Sequence, residues 1–310
     1  MAAVSGGWVA GSVRARAMVQ RCIGAGAARE LATCGSLQEA LQALAATPYG
    51  RERLPGLTLS AAQHEIASAI LWDLRVLAGW LPGDGVRLLR ALAGWFELAN
   101  VEELLQAMAG RPVEAEFALG ALATAWPRLR QASSPAGLRV VLAASAWGDP
   151  GGETEEEVLL GMRSRWAARV AAVGEPARSW AAGAEALLLA GKWFAAGGEA
   201  RDTGVGAMPG MLGLAVAGVA TLDELGLRLP ARARWVLAGI SSPGDLWRAE
   251  AAWWARVEQD GFRLLRTSSL DSGPVLGAVA VMAADAWRVR AALEIAARGG
   301  GPLEAYDAVA

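Results

Sequence analysis

The side chains that could do chemistry are few. There is one histidine, His64; there are two cysteines, Cys22 and Cys34; and the acidic candidates are the runs Glu102-Glu103 and Glu155-Glu156-Glu157 and the single Asp271. A zinc site or a Ser-His-Asp triad needs histidines in partnership, and a single one cannot supply them. Cys22 and Cys34 are wrongly spaced for a redox CxxC pair or a zinc ribbon and too few for a disulfide framework, so both are read as reduced, packed thiols. Phosphate loops of the GxxxxGK[ST] type, dinucleotide GxGxxG turns, HExxH and GxSxG are missing, as is any facing pair of DDxxD segments. The three glutamates after Thr154 sit where a helix dipole favours negative charge, which accounts for them without catalysis. The sequence therefore implies no catalytic, cofactor or metal site.

The elements that could position functional groups are helices. Leu88, Leu92, Trp95, Leu98, Val101, Leu105 and Met108 recur every three or four residues, which predicts one continuous helix from about Asp84, with Glu97, Asn100, Glu102 and Glu103 on the opposite face. DAWRVRAALEIAARGGG, from Asp285, repeats the design with Val289, Leu293 and Ala297, inside a helix expected over Val275–Arg298. Capping boxes are read at Ser36–Glu39, Ser60–Gln63, Thr154–Glu157 and Thr221–Glu224. Ser36 and Val101 are 65 residues apart, and Thr221 and Val289 are 68 apart, so the pairing of capped start and closing helix repeats. A degraded middle copy runs from Ser134 to the helix of Ser179–Leu189. Helical periodicity also covers Val9–Ala32, interrupted near Gly24 and Gly26, then Val113–Arg130, Gly137–Trp147, Val158–Val170, Pro176–Trp193 and Trp247–Val257. Arg139-Val-Val-Leu-Ala is the one stretch that competes as a strand. The fold class is all-α, with lobes over 1–112, 113–205 and 206–310 in a pseudo-threefold repeat of about 90–110 residues.

With 310 residues, the chain is near the size at which one core divides. A net charge of −2 with Lys192 as the sole lysine argues against nucleic acid, which needs unbalanced, clustered cations. The first residues lack the basic-then-apolar order of a signal peptide, so a cytoplasmic location is expected. Thr203–Leu222 is uncharged and long enough to span a bilayer, but Gly204, Gly206, Pro209 and Gly210 break it and leave Met211–Leu222 as a short core helix. No transmembrane span is expected.

Four stretches resemble one family. They are Trp8-Val-Ala-Gly-Ser-Val-Arg14-Ala-Arg16-Ala-Met18, the segment SLQEALQALAATPYG from Ser36 that carries Thr47 and Tyr49, Glu97-Leu-Ala-Asn100-Val101 with Leu104-Leu105, and Asp285–Gly300 with Arg290. Together and in this order they resemble the d subunit of eukaryotic V-type ATPases and the C subunit of the archaeal and bacterial V/A-type ATPases. Trp8 stands where that family more often has Tyr, and Asp285 where Glu is usual. The resemblance implies a funnel of three similar helical lobes with no active site and no cofactor. It implies partners too: the central-shaft subunits of a rotary ATPase and its membrane proteolipid ring, at the cytoplasmic face of the membrane. Arg14, Arg16, Thr47, Tyr49, Glu97, Asn100, Asp285 and Arg290 are then structural or partner-contact residues. The alternatives are a free-standing helical-repeat scaffold, whose periods are usually shorter, and an all-α enzyme with an unannounced site.

Overall fold

The computed structural model describes residues 6–50, 54–152, 154–195, 212 and 219–300. In chain order the helices are α1 (Gly6–Val19), α2 (Gly24–Ala32), α3 (Leu37–Leu44), α4 (Leu59–Ala78), α5 (Gly83–Leu92), α6 (Gly94–Met108) and α7 (Trp126–Leu129). They continue as α8 (Pro135–Ala143), α9 (Glu155–Ala171), α10 (Ala177–Ala190), α11 (Leu222–Arg228), α12 (Ala231–Arg234), α13 (Leu246–Arg266) and α14 (Ser272–Ala297). No strand occurs among the described residues, so the protein is all-α. Nor is any described helix long and apolar enough to cross a membrane.

Local chemistry starts these helices. Ser36 Oγ accepts from Glu39 N at 3.2 Å, Thr221 Oγ1 from Glu224 N at 3.2 Å, and Thr154 completes a reciprocal box with Glu157. In the first two the glutamate reaches one residue farther back than a standard box, to Gly35 N at 2.9 Å and to Ala220 N at 2.8 Å. The start expected at Ser60 lies two residues earlier, because Thr58 is extended and its hydroxyl accepts from Ala61 N. That leaves Gln63 to donate to Glu294 Oε1 at 3.0 Å.

The helix expected to run unbroken from Asp84 to Met108 is two helices. α5 ends at Leu92 and α6 begins at Gly94, where a Cβ would stand 2.8 Å from Trp166 Cδ1. The buried face differs accordingly. Trp95 is 41% exposed, while Phe96, Glu97 and Asn100 are buried. Val113–Arg130 is mostly irregular, with a 3-10 turn at Gly120–Leu122 and the single turn of α7. Pro112 and Pro127 lack the N–H that a continuous helix needs there, and Gly120 takes a left-handed φ of 54°. Arg139–Ala143, the strand candidate, is part of α8. Met211–Leu222 and the glycine cluster from Gly197 to Gly210 fall largely outside the described residues.

The chain divides into two compact units. One gathers Met1–Ala93, Glu114–Leu122 and Trp254–Ala310; the other gathers Gly94–Val113 and Ala123–Trp253. In the first, α14 is buried along most of its length, from Val275 to Ala296, against α1, α2, α3 and α4. Leu31, Leu41, Leu44, Ile66, Leu74 and Leu77 fill the space around it. In the second, α9 packs along α10, and α10 also meets α12. There Ala182, Ala186 and Ala190 present a small-residue face to Leu222, Leu225, Leu229, Val236 and Leu237. Gly183 lets that face come close, because a Cβ would lie 2.9 Å from Trp253 and 3.1 Å from Trp235.

Candidate functional site

Among the residues that carry the family resemblance, the structure brings two together. Asp285 lies midway along α14 and is 1% exposed. Its carboxylate accepts from Gly24 N at 2.8 Å, from Ile23 N at 3.2 Å and from Tyr49 Oη–H at 2.8 Å. Ile23 caps α2 without a side-chain bond of its own, so the partly buried N–H groups at that helix start would otherwise lack a protein acceptor. A carboxylate there also meets the positive end of the helix dipole. Burial pushes the Tyr49 phenol well above its ordinary pKa, and the neighbouring Asp285 charge adds to it. Burial likewise raises the Cys22 thiol, again helped by Asp285, which keeps this sulfur an inert packing atom. Three residues along, Arg288 is buried and forks onto Glu258 with bonds of 3.1 and 2.8 Å.

Glu97 is also 1% exposed, in the middle of the first turns of α6. Its two oxygens accept from Thr124 N and Ala125 N at 2.6 Å each, immediately before α7. Ala125 caps that turn with no side-chain bond, so Glu97 stands to α7 as Asp285 stands to α2. The expectation that Glu97 and Asn100 face outward is thus corrected: both are buried. Asn100 lies three residues after Glu97, the place Arg288 holds after Asp285.

Sequence reasoning missed a third buried carboxylate. Glu185 on α10 is 1% exposed and accepts from Ser164 Oγ–H at 2.9 Å. It also missed a repeated turn. Thr47 donates to Leu44 O at 2.7 Å and accepts from Tyr49 N at 3.3 Å, which closes the segment after α3. Ser145 does the same after α8, donating to Leu142 O at 2.8 Å and accepting from Trp147 N at 3.0 Å. The signal was in the spacing, since Ser36 and Thr47 precede Tyr49-Gly50 as Ser134 and Ser145 precede Trp147-Gly148.

The other expected residues are placed separately. Arg16 ties α1 to the turn before α14, donating to Leu265 O, Thr267 O and Ser269 O at 3.2, 2.8 and 3.1 Å. Arg14 is exposed and lies 5.9 Å from the Trp80 ring centre. Arg290 is half-buried on α14. His64 stacks on Phe117 at 4.2 Å.

Chemically, both carboxylates are acceptors engaged at both oxygens by fixed donors. Such an arrangement holds backbone in place. Among the described residues no group of three or more His, Cys, Asp or Glu side chains is placed to hold a metal ion. The chain matches no protein-family model, and no curated protein matches it significantly.

Proposed function

We propose that this chain is a non-catalytic coupling subunit of a V/A-type rotary ATPase, joining the central shaft to the membrane proteolipid ring at the cytoplasmic face. The observation that carries the reading is the shared grip of Glu97 and Asp285 on backbone N–H pairs, made from the two segments that resemble the family's closing helices.

Three similar lobes, 1–112, 113–205 and 206–310, arranged as a funnel, account for several features at once. The closing helix of each copy packs on the opening of the next: α6 on α7, α10 on α12, and α14 on α2 and α3. The packing of α14 on α2 and α3 supports a repeat in which the last copy meets the first. The two compact units follow from that hand-over, because α14 joins the first lobe while α9 and α10 bind the other two hand-overs together. The matching Glu39 and Glu224 bonds and the matching Thr47 and Ser145 turns support the same repeat.

Stiffness is the property that coupling demands. Each unit charge moved through 100 mV delivers about 2.3 kcal/mol, an energy of the same order as a few good contacts, so a loose joint would dissipate it. Buried carboxylates that pin helix starts resist such yielding. Interfaces to shaft and ring each need to bury more than about 1,000 Å² to carry the torque.

The test is a mild-detergent pull-down of tagged chain from native membranes, with mass spectrometry and an ATPase assay on the eluate. Recovery of a proteolipid, shaft subunits and ATPase activity is the expected result. Recovery of the chain alone, with membrane ATPase intact in its absence, would overturn the proposal and leave the free-standing scaffold.

A further inference from the structure

A cleft of about 300 Å³ opens between α4 and the turn at Gly120–Leu122, lined by Trp72, Arg75, Val76, Ala78, Ala121 and Leu122. None of these residues takes part in the carboxylate grips, so the ligand chemistry of the cleft is independent of a rotary role.

The cleft combines three features. Its floor is apolar, since Leu122 and Ala78 are buried and Val76 is half-buried. One wall is the indole of Trp72, which is 45% exposed. Its charge is the exposed guanidinium of Arg75, one helical turn from Trp72, which has no hydrogen-bond or ion-pair partner among the described residues. The guanidinium runs close along the turn: Gly120 has a left-handed φ of 54°, and a Cβ there would stand 3.1 Å from Arg75 Nε. The turn itself is anchored by buried Leu122 and by Arg90, which donates to Ala121 O at 2.9 Å.

Small-molecule sites are mostly apolar, with a few fixed polar groups, and begin at roughly 300 Å³. An apolar floor beside an indole suits one aromatic group, and a planar guanidinium suits one carboxylate, which it can meet through two parallel bonds. We infer that this cleft binds an aromatic carboxylate, with the ring against Trp72 and Leu122 and the carboxylate on Arg75. The same chemistry is offered by a free aromatic acid and by a polypeptide ending in an aromatic residue.

Calorimetric titration of the full chain with indole-3-acetate and with its neutral isostere indole-3-acetamide tests the inference. Saturable one-site binding of the acid is expected with Kd below about 1 mM, and binding of the amide about tenfold weaker. Arg75→Gln should bring the acid down to the level of the amide and leave the amide unchanged, while Trp72→Ala should weaken both. Arg75 is exposed, so its variant leaves the core untouched. Raising salt in the unaltered protein gives a second measurement, weakening the acid alone. An acetylated tripeptide ending in a free tryptophan identifies the source: binding with the same dependence on Arg75 marks a chain terminus, and failure to bind while indole-3-acetate binds marks a free acid. Equal affinity for acid and amide, undiminished acid binding in Arg75→Gln, or no saturation by about 10 mM would overturn it.

Discussion

Asp285 and Glu97 perform one task with different reach. The shorter aspartate receives its backbone donors at 3.2 and 2.8 Å and retains acceptor capacity, which the Tyr49 hydroxyl uses. The longer glutamate spans to two adjacent N–H groups at 2.6 Å each. The aromatic at the position matching Tyr49 is there Trp147, which has no hydroxyl and lies instead under the Arg169 guanidinium at 4.7 Å. Holding the helix start is thus the common requirement. The aromatic is the variable accessory, bonded to the carboxylate in one region and to a cation in the other.

The largest expected effect comes from removing the carboxylates. Asp285→Ala abandons three donors, two part-buried and one buried, and should cost roughly 3–5 kcal/mol, whereas Glu97→Ala abandons two and should cost roughly 2–4 kcal/mol. Hydrogen exchange followed by mass spectrometry localises each loss, with 23–32 opening in the first variant and 124–129 in the second. Equal losses, or exchange spread over both regions alike, would break the comparison.

Tyr49→Phe sharpens it, because it removes the accessory and leaves the grip. A loss of about 1–2 kcal/mol is expected at neutral pH. The raised phenol pKa contributes stability that is present below the ordinary value of 10.0 and is lost as pH rises through and beyond it, because the unfolded chain ionises first. Denaturant curves of the unaltered protein and the variant should therefore converge in alkali.

Arg169→Met should weaken the Trp147 region by about 0.5–2 kcal/mol, through the lost ring contact and the lost bond to Thr124 Oγ1 at 3.0 Å, and leave the Tyr49 region unchanged. A smaller effect again belongs to Asp149, in the turn between α8 and α9, which Arg139 and the Gly151 N–H hold down at about 2. Arg139→Gln should raise that carboxyl toward its ordinary 3.8 while the Gly151 N–H still holds it below, readable by NMR; in the unaltered protein the contribution to stability is present above 3.8 and lost as pH falls toward 2.

Much of the fold was legible because its signals are local. A hydroxyl that caps a helix acts three residues ahead, and the reading at Ser36, Thr154 and Thr221 needed no tertiary knowledge. Periodicity placed α14 within three residues of its start and one of its end. Glu97 was misread, and the role of Asp285 was hidden, for the opposite reason. Periodicity sends a lone glutamate to solvent, but Glu97 is held by donors 27 and 28 residues away and Asp285 by donors more than 230 away. No window contains both partners. The α5–α6 break was hidden in the same way, since Gly94 answers to the ring of Trp166 and not to its neighbours in sequence. Trp147 went unmatched to Tyr49 because Ser145-Ala-Trp147 shares no letter with Thr47-Pro-Tyr49, and only the common spacing from Ser134 and Ser36 links them.

The unit built on α14 takes its other parts from before Ala93, with Glu114–Leu122, and this has a consequence for the ribosome. At about 5–20 residues per second, the chain between Ala93 and Trp254 takes on the order of ten to thirty seconds to emerge. Throughout that interval the newborn α2 and α3 lack the helix that covers Leu41 and Leu44, and their helix start lacks its acceptor. The helices before Ala93 are made well ahead of α14, and their unit is completed only when that helix arrives.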